Sequence, residues 1–341
     1  MHRATLLGCF GLVVSCSIAA QSYTVPASAA TVEWGHYAAN VKPAITVHSG
    51  DTVTLQTLST CGPTDRLIAR GLKPEQIPAY NDEVYRNYPE ADKGPGGHIL
   101  TGPVAIAEAE PGDVLKVEIV AIHLDTDFAC NGFGLHRGFL PMEFPYSRQR
   151  IIPLDREKMI GHFAPGIEIP LHPFFGSMGV APAQGRVDSA PPFAHAGNMD
   201  NKELVAGSTL YIPVAAKGAL FVAGDGHAGQ GNGEVDITAM ETFLTGTFRF
   251  TVLKGKPLLW PRAETPTHVI TMGFSPDLKE ATEHALRDMI DYLVTEKHMT
   301  PDDAYMLASV AVDLDITQLV DGNVGVHAML PKAIFVPAAQ P

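Results

Sequence analysis

Basic residues are scarce in this chain and nowhere clustered. Lys and Arg number 24 against 37 Asp and Glu, a formal charge of −13 on 341 residues. Nucleic-acid binders and anionic-membrane binders need runs of Lys and Arg, so no nucleic-acid partner is expected. Tryptophan occurs only at Trp34 and Trp260, few for the aromatic groove of a carbohydrate binder. There is no Gly-x-Ser-x-Gly elbow, no His-Glu-x-x-His, no Cys-x-x-Cys and no P-loop. What is plentiful is glycine, 32 residues, and proline, 27, without a period. That points to many turns and short strands and away from a helical bundle. Apolar residues at 45% and charged ones at 18% suffice for a large core and argue against disorder. The length suits two domains, or one large domain of repeated parts.

The amino terminus reads as an export leader over residues 1–20. Arg3 gives it a positive start, and residues 4–20 are apolar and end in small side chains. This stretch is too short for a comfortable transmembrane span. Ser17 and Ala19 suit a peptidase site, and Ala27-Ser28-Ala29 offers a cut as late as residue 29. Val13-Val14-Ser15-Cys16 resembles a lipobox, which would make Cys16 a lipid anchor. The expected location is periplasmic or secreted. Removing the leader leaves Cys61 and Cys130, which could pair in an oxidising compartment, although sequence does not make them neighbours. Nothing local supports Cys61 as a nucleophile.

Three segments read alike: Ser49–Leu55, Pro111–Val117 and Ala206–Ile212. Each has a turn glycine, a small polar residue, then alternating apolar residues, the pattern of a tight turn feeding a half-buried strand. They suggest duplicated β-modules, with residues 241–253 as a further strand carrying Phe243, Phe248 and Phe250 into the core. A helix is predicted over 277–297, capped by Ser275, with a stripe of Leu278, Ala281, Ala285, Met289 and Leu293. A second, over 301–313, is capped at Thr300 and runs through Tyr305, Ala308 and Val312. Residues 60–97 and 145–198 read as long irregular loops of the kind that wall a site. The expected fold is α+β and β-rich: duplicated β-modules, a small barrel or sandwich, and the two helices packed on a sheet. The parts divide as 31–150, β-rich, and 151–341, holding the Gly-rich loop and the helices.

The densest polar cluster lies within 198–241. Gly224-x-Gly226-x-x-Gly229 matches a dinucleotide fingerprint by letter, but that motif needs a helix to begin inside it. Gly229, Gly231 and Gly233 would each cost such a helix about 1 kcal/mol. Glu234–Thr238 instead alternates like a strand. The better reading is an apolar strand, Ala219–Val222, delivering Asp225 and His227 at its end. At i and i+2 of an extended chain they share a face. Asp200 supplies another carboxylate, and carboxylate with imidazole suits zinc or a similar divalent ion. The same spacing also suits a plain turn, with Asp225 bonded to its own backbone and His227 at the surface. His98, in a Gly-rich approach to a strand, is the next candidate.

At these residues the chain resembles the acetamidase/formamidase family. The motifs run from about residue 45 to 335. They include Thr101-Gly102-Pro103-Val104, Glu110–Leu115, Gly179-Val180-Ala181-Pro182, Gly197-Asn198-Met199-Asp200, Leu210–Val214 and Gly218–Phe221. Gly224-Asp225-Gly226-His227-Ala228, Gln230–Glu234, Met272-Gly273, Val320-Asp321 and Leu330-Pro331-Lys332 follow in order. The resemblance implies hydrolysis of a small linear amide to ammonia and a carboxylate, a β-rich fold with a small barrel, a homodimer, and a divalent metal near the site. Zinc is the first choice and calcium the second. Carried over, Asn198, Asp200, Asp225, His227, Gln230 and Glu241 match the family's motif positions; the expected roles are Asp200, Asp225 and His227 as metal ligands, Glu241, or failing it Glu234, as proton carrier, and Asn198 and His98 as assisting groups. Gly226 and Gln230 face the substrate. The rival expectation is an exported, non-enzymatic solute or carbohydrate binder on the same scaffold. Two features depart from the family pattern: the leader, and the segment around Cys61.

Overall fold

The computed structural model describes residues 20–336, so most of the leader, with Cys16, Ser17 and Ala19, lies outside the described residues. The three similar segments all form turn-then-strand units. Gly50, Gly112 and Gly207 take left-handed φ values of 104°, 94° and 91°. The following N–H reaches back three residues each time, from Asp51 to His48, Asp113 to Glu110 and Ser208 to Val205. The strands they launch, Thr52–Gln56, Val114–Leu124 and Thr209–Pro213, belong to one nine-stranded sheet.

That sheet runs Ser22–Val25, Thr52–Gln56, Leu244–Leu253, Val114–Leu124, Thr209–Pro213, Arg262–Glu264, His268–Ser275, Val324–Pro331, Asp313–Gln318. A six-stranded sheet runs Ala196–Asn198, Phe174–Gly179, Phe221–His227, Ile99–Ile106, Val32–Trp34, with Ile45–Val47 also on Ile99–Ile106. The two sheets stack. Leu55, Val117, Ile212, Phe248 and Phe250 of the first share a buried cluster with Val104, Phe175, Phe221 and Ala223 of the second. Phe221 lies 5.5 Å from Phe248 and 5.1 Å from Phe250, ring to ring. Each fully buried Phe contributes about 1.5–3 kcal/mol through its removal from water. The molecule is therefore the β-rich α+β structure expected, in its sandwich form. Both sheets stay open, and the expected small barrel does not form.

Both late helices are present, as Leu278–Lys297 and Pro301–Ala311. Ala281, Ala285, Met289 and Leu293 are buried against Val269, Val326 and Ala328 of the large sheet as the stripe required, but Leu278, in the first turn, is exposed. The seat depends on Gly273, where a Cβ would come within 2.1 Å of the Ala281 carbonyl oxygen. The cap is Asp277, whose carboxylate accepts the Glu280 N–H at 2.9 Å, not Ser275. Ser275 instead accepts from the Asp277 N–H and donates to Glu280. In the second helix Thr300 caps as expected, accepting from Asp303. Its buried face is Ala304 and Ala308, while Tyr305 is exposed.

The two segments read as loops are more ordered than their composition suggested. Residues 60–97 contain helices Thr64–Ala69 and Ala79–Asn87, and 145–198 contain six strands, Arg148–Asp155 through Ala196–Asn198. Short strands between Pro and Gly residues leave too few alternations to stand out. Glu234–Thr238 is a correction in the other direction. It is a chain of turns, with Ile237 N–H bonded to Glu234, because Glu234 is drawn inward and Asp236 and Thr238 are tied to Asn131.

Candidate active site

The site forms where the strand Phe221–His227 ends beside Phe174–Gly179. Asp225 and His227 do converge. His227 Nε2 lies 3.3 Å from Asp225 Oδ2, 3.3 Å from Glu241 Oε1 and 4.0 Å from Asp200 Oδ1. All four residues are buried, which removes the surface-turn reading of His227. The simple alternation argument is not what brings the pair together. Asp225 has a φ of 56°, as Asp200 has 52° and Glu234 has 43°. Three acids of one cluster sit in the left-handed region that non-glycine residues avoid, at about 1 kcal/mol or more each. Such strain persists only where surrounding structure enforces it.

The tautomer of His227 follows from Gln230. The Gln230 amide donates from Nε2 to the backbone oxygens of Asp200, at 2.8 Å, and Thr317, at 3.4 Å. Its Oε1 therefore faces His227 Nδ1, 3.0 Å away, as acceptor. In the neutral imidazole this puts the proton on Nδ1 and leaves Nε2, the nitrogen that faces the acids, as the one able to meet a metal. Gln230 thus positions His227 and Asp200. Asn198 is similarly committed: its amide donates to Asp200 Oδ2 at 2.8 Å and accepts from Ser177 at 2.6 Å. It orients the Asp200 carboxylate. Glu241 accepts from Ala239 N–H on Oε1 and from Thr60 on Oε2. His98 Nε2 stands 3.8 Å from Asp225 Oδ2, and its Nδ1 lies 3.0 Å from Ser189 Oγ. Gly226 faces away from this cluster. A Cβ there would meet Leu244 at 2.7 Å, so its glycine serves packing.

Two members were not assigned to the site from the sequence, although one stands in the Val320-Asp321 motif. Asp321 lies beside Asp200, and burial pushes its carboxyl up to about 6. Gly176 forms the floor. A Cβ on it would lie 2.5 Å from both Asp200 Oδ1 and Asp225 Oδ2, and 2.8 Å from His227 Cε1. The signal for Gly176 existed: an isolated glycine inside an apolar strand marks a close approach.

The electrostatics call for a cation. Burial, then the charges of Glu234, Asp321 and Asp225, raise Asp200 well above the usual carboxylate range. Burial, then Asp321 and Glu241, does the same to Glu234. Burial would depress His227, but Glu241 and Asp225 outweigh it and hold it high. Burial would raise Asp225, but His227 and His98 outweigh it and hold it low. Asp200 Oδ1 and His227 Nε2 are buried without any hydrogen-bond partner, a cost of about 1–3 kcal/mol for each. One ligand atom from each of Asp225, His227 and Glu241 falls within 4.8 Å of the others, and so it does for Asp200, His227 and Glu234. One imidazole nitrogen with carboxylate oxygens, two orphaned atoms and a gap over Gly176 too tight for a methyl fit a divalent ion.

Beside the cluster opens a cavity of about 740 Å³. Gln230 and Glu234 belong to both, and Ile152, Phe163, Ile169, Val235 and Met240 make its apolar walls. Neither tryptophan lines it. Trp34 packs on Tyr85 and Tyr88, and Trp260 on Phe193 and His284.

Buried acids around one imidazole define a hydrolytic type of centre, where a water must lose a proton and a leaving group gain one. Comparison with known proteins makes this specific. A model of the acetamidase/formamidase family matches residues 93–190 and 185–336. The chain is similar to the formamidase of Methylophilus methylotrophus, 24% identical over 315 residues that cover 70% of this chain and 77% of that one. Among solved structures it is similar to the acetamidase of Yersinia enterocolitica, with 26% identity, a TM-score of 0.79, and 95% of this chain and 96% of that one covered. It is also similar to a predicted acetamidase/formamidase of the thermophile Thermoanaerobacter tengcongensis, with 26% identity, a TM-score of 0.78, and 93% and 97% coverage. The chain belongs to the acetamidase/formamidase family and is an amide-hydrolysing enzyme.

Proposed function

We propose that the chain hydrolyses small linear amides of the formamide or acetamide type to ammonia and a carboxylate, with a divalent cation at the site. The carrying observation is that Asp200, Asp225 and Glu241 converge on His227 Nε2, with Gly176 leaving the gap between Asp200 and Asp225 open. Asp200, Asp225 and His227 would hold the ion. Zinc suits a set containing an imidazole nitrogen better than calcium, which prefers oxygen alone. When bound, the ion supplies a Lewis acid for the amide oxygen and lowers the pKa of water to about 7. Glu241 takes the proton of the attacking water and delivers it to the departing nitrogen, a step required because an amide anion leaves poorly. Glu234 is the second carboxylate able to carry that proton. Asn198 and Gln230 hold Asp200 and His227 in place, and His98 sets the charge at Asp225.

His227→Ala and Asp225→Asn test this. Both should lose ammonia release from formamide and acetamide together with bound metal. Full activity and full metal content in both would refute the assignment. The cavity favours a second reading of the substrate. At about 740 Å³ it far exceeds a formamide, whose bulk is a few times the ~30 Å³ of a water. An amide with an apolar acyl chain would fill it, and kcat/KM across formamide, acetamide, butanamide and hexanamide separates the two.

Export to the periplasm or medium belongs to the same proposal. The leader supports it, as does the Cys61–Cys130 disulfide, with its Cα atoms 5.8 Å apart, since such bonds persist in oxidising compartments. A homodimer follows from the family resemblance, and light scattering on the purified chain tests it.

A further inference from the structure

The segment around Cys61, one of the two that depart from the family pattern, touches the active site. Thr60 Oγ1 donates to Glu241 Oε2 at 2.5 Å, across 181 positions of sequence. The next residue, Cys61, is joined to Cys130. Cys130 in turn exchanges backbone bonds with Glu241, N–H to oxygen at 2.9 Å and oxygen from N–H at 2.8 Å. One covalent link, two backbone bonds and one hydroxyl therefore converge on a single glutamate. The backbone donor to its carboxylate, among the described residues, is the Ala239 N–H, on Oε1. That oxygen is the one 3.3 Å from His227 Nε2. Thr60 thus fixes the plane of the carboxylate, so that Oε1 faces the site.

We propose that Thr60 is a positioning residue for Glu241, and that the Cys61–Cys130 disulfide keeps it in place, so the catalytic glutamate is aligned only in the oxidised chain. This rests on Glu241 being the proton carrier. Cys61 and Cys130 sit in a packed cluster with Leu58, Leu67, Phe128 and Phe243. Asn81 separately holds the Gly62 carbonyl. The segment therefore keeps its core contacts without the covalent link and loses chiefly the register of Thr60. A carboxylate displaced by about 1 Å from its working position costs on the order of 10²-fold in rate.

The test compares Thr60→Val, Thr60→Ser, the Cys61→Ala/Cys130→Ala double variant, the triple combination with Thr60→Val, and Glu241→Gln. Steady-state kinetics and bound metal are measured on each. Thr60→Val should lower kcat about 10- to 100-fold with KM and metal content unchanged, and Thr60→Ser should restore kcat to within about threefold. The double cysteine variant should reproduce the Thr60→Val loss, and the triple variant should add nothing, because both act through one contact. Full kcat in Thr60→Val alongside an inactive Glu241→Gln overturns the role of Thr60 and leaves the glutamate standing. Full kcat in the cysteine double variant overturns the role of the disulfide. An active Glu241→Gln removes the proton carrier, and the positioning proposal falls with it.

Discussion

Gly176→Ala is the most direct probe of the cluster. The glycine is outside the left-handed region, so its backbone accepts alanine, and the consequence is purely steric. The new methyl would lie 2.5 Å from Asp200 Oδ1 and Asp225 Oδ2. Ordinary contact begins at 3.4 Å, so the two oxygens must retreat by about 0.9 Å. A misplacement of that size costs on the order of 10²-fold in rate, or about 2.7 kcal/mol of transition-state stabilisation. Overpacking also costs about 1–3 kcal/mol of stability. At a few degrees of Tm per kcal/mol, the protein still folds at 25 °C. The assay is ammonia release with bound metal per chain measured alongside. Gly97→Ala, with nothing within 4 Å of its added Cβ, is the control. Gly176→Ala with kcat and metal within twofold of the native protein would refute the convergence of these groups on one bound ion.

Three other outcomes are expected. Removing metal with a chelator should abolish turnover, and restoring zinc should recover it; undiminished turnover after stripping would take the ion out of the reaction. Arg262 joins Asp288 by two bonds of 2.7 Å and Asp291 by a third, and Asp288 is raised by its burial. Arg262→Ala leaves that carboxylate unpaired on the buried face of the long helix, so urea unfolding should show a loss of about 3–5 kcal/mol, and a loss under 1 kcal/mol would contradict the pairing. Burial holds His195 and His327 down to about 4. The unfolded chain therefore takes up protons first as pH falls, so their contribution is complete above 6.5 and is lost toward 4. Each adds up to about 1.4 kcal/mol per pH unit to the fall. His327→Gln should make stability fall less steeply with acid between pH 6.5 and 4, and slopes equal to native would count against it.

Periodicity revealed the parts of this molecule that repeat a local rule. The three glycine turns, the phenylalanines at 243, 248 and 250, and the stripe on Leu278–Lys297 all follow from spacing. The site was legible as a set of residue types, because Asp225, His227 and Glu241 cluster in sequence and match a family pattern. Its geometry was not. Asp200, Asp225 and Glu234 take a backbone conformation that their side chains disfavour, and tertiary contacts impose it. Asp321 reaches the cluster from a distant turn, and Thr60 from a segment whose composition suggested only a loop. The barrel expectation failed because sheet closure depends on edge pairing, which alternation within each strand does not encode.

The strand Ser22–Val25 gives the outermost row of the large sheet its partner, running parallel to Thr52–Gln56. Gln21 N–H is tied to Asp51 and Ala27 N–H to Gln56. A chain that begins ahead of Ser22 keeps that strand. A cut after Ala29 would peel it away and bare the N–H and C=O groups of Thr52–Gln56, an adhesive margin that invites chain-to-chain stacking. Loss of residues 22–25 would thus move the open margin of the large sheet inward by one strand, from Ser22–Val25 to Thr52–Gln56.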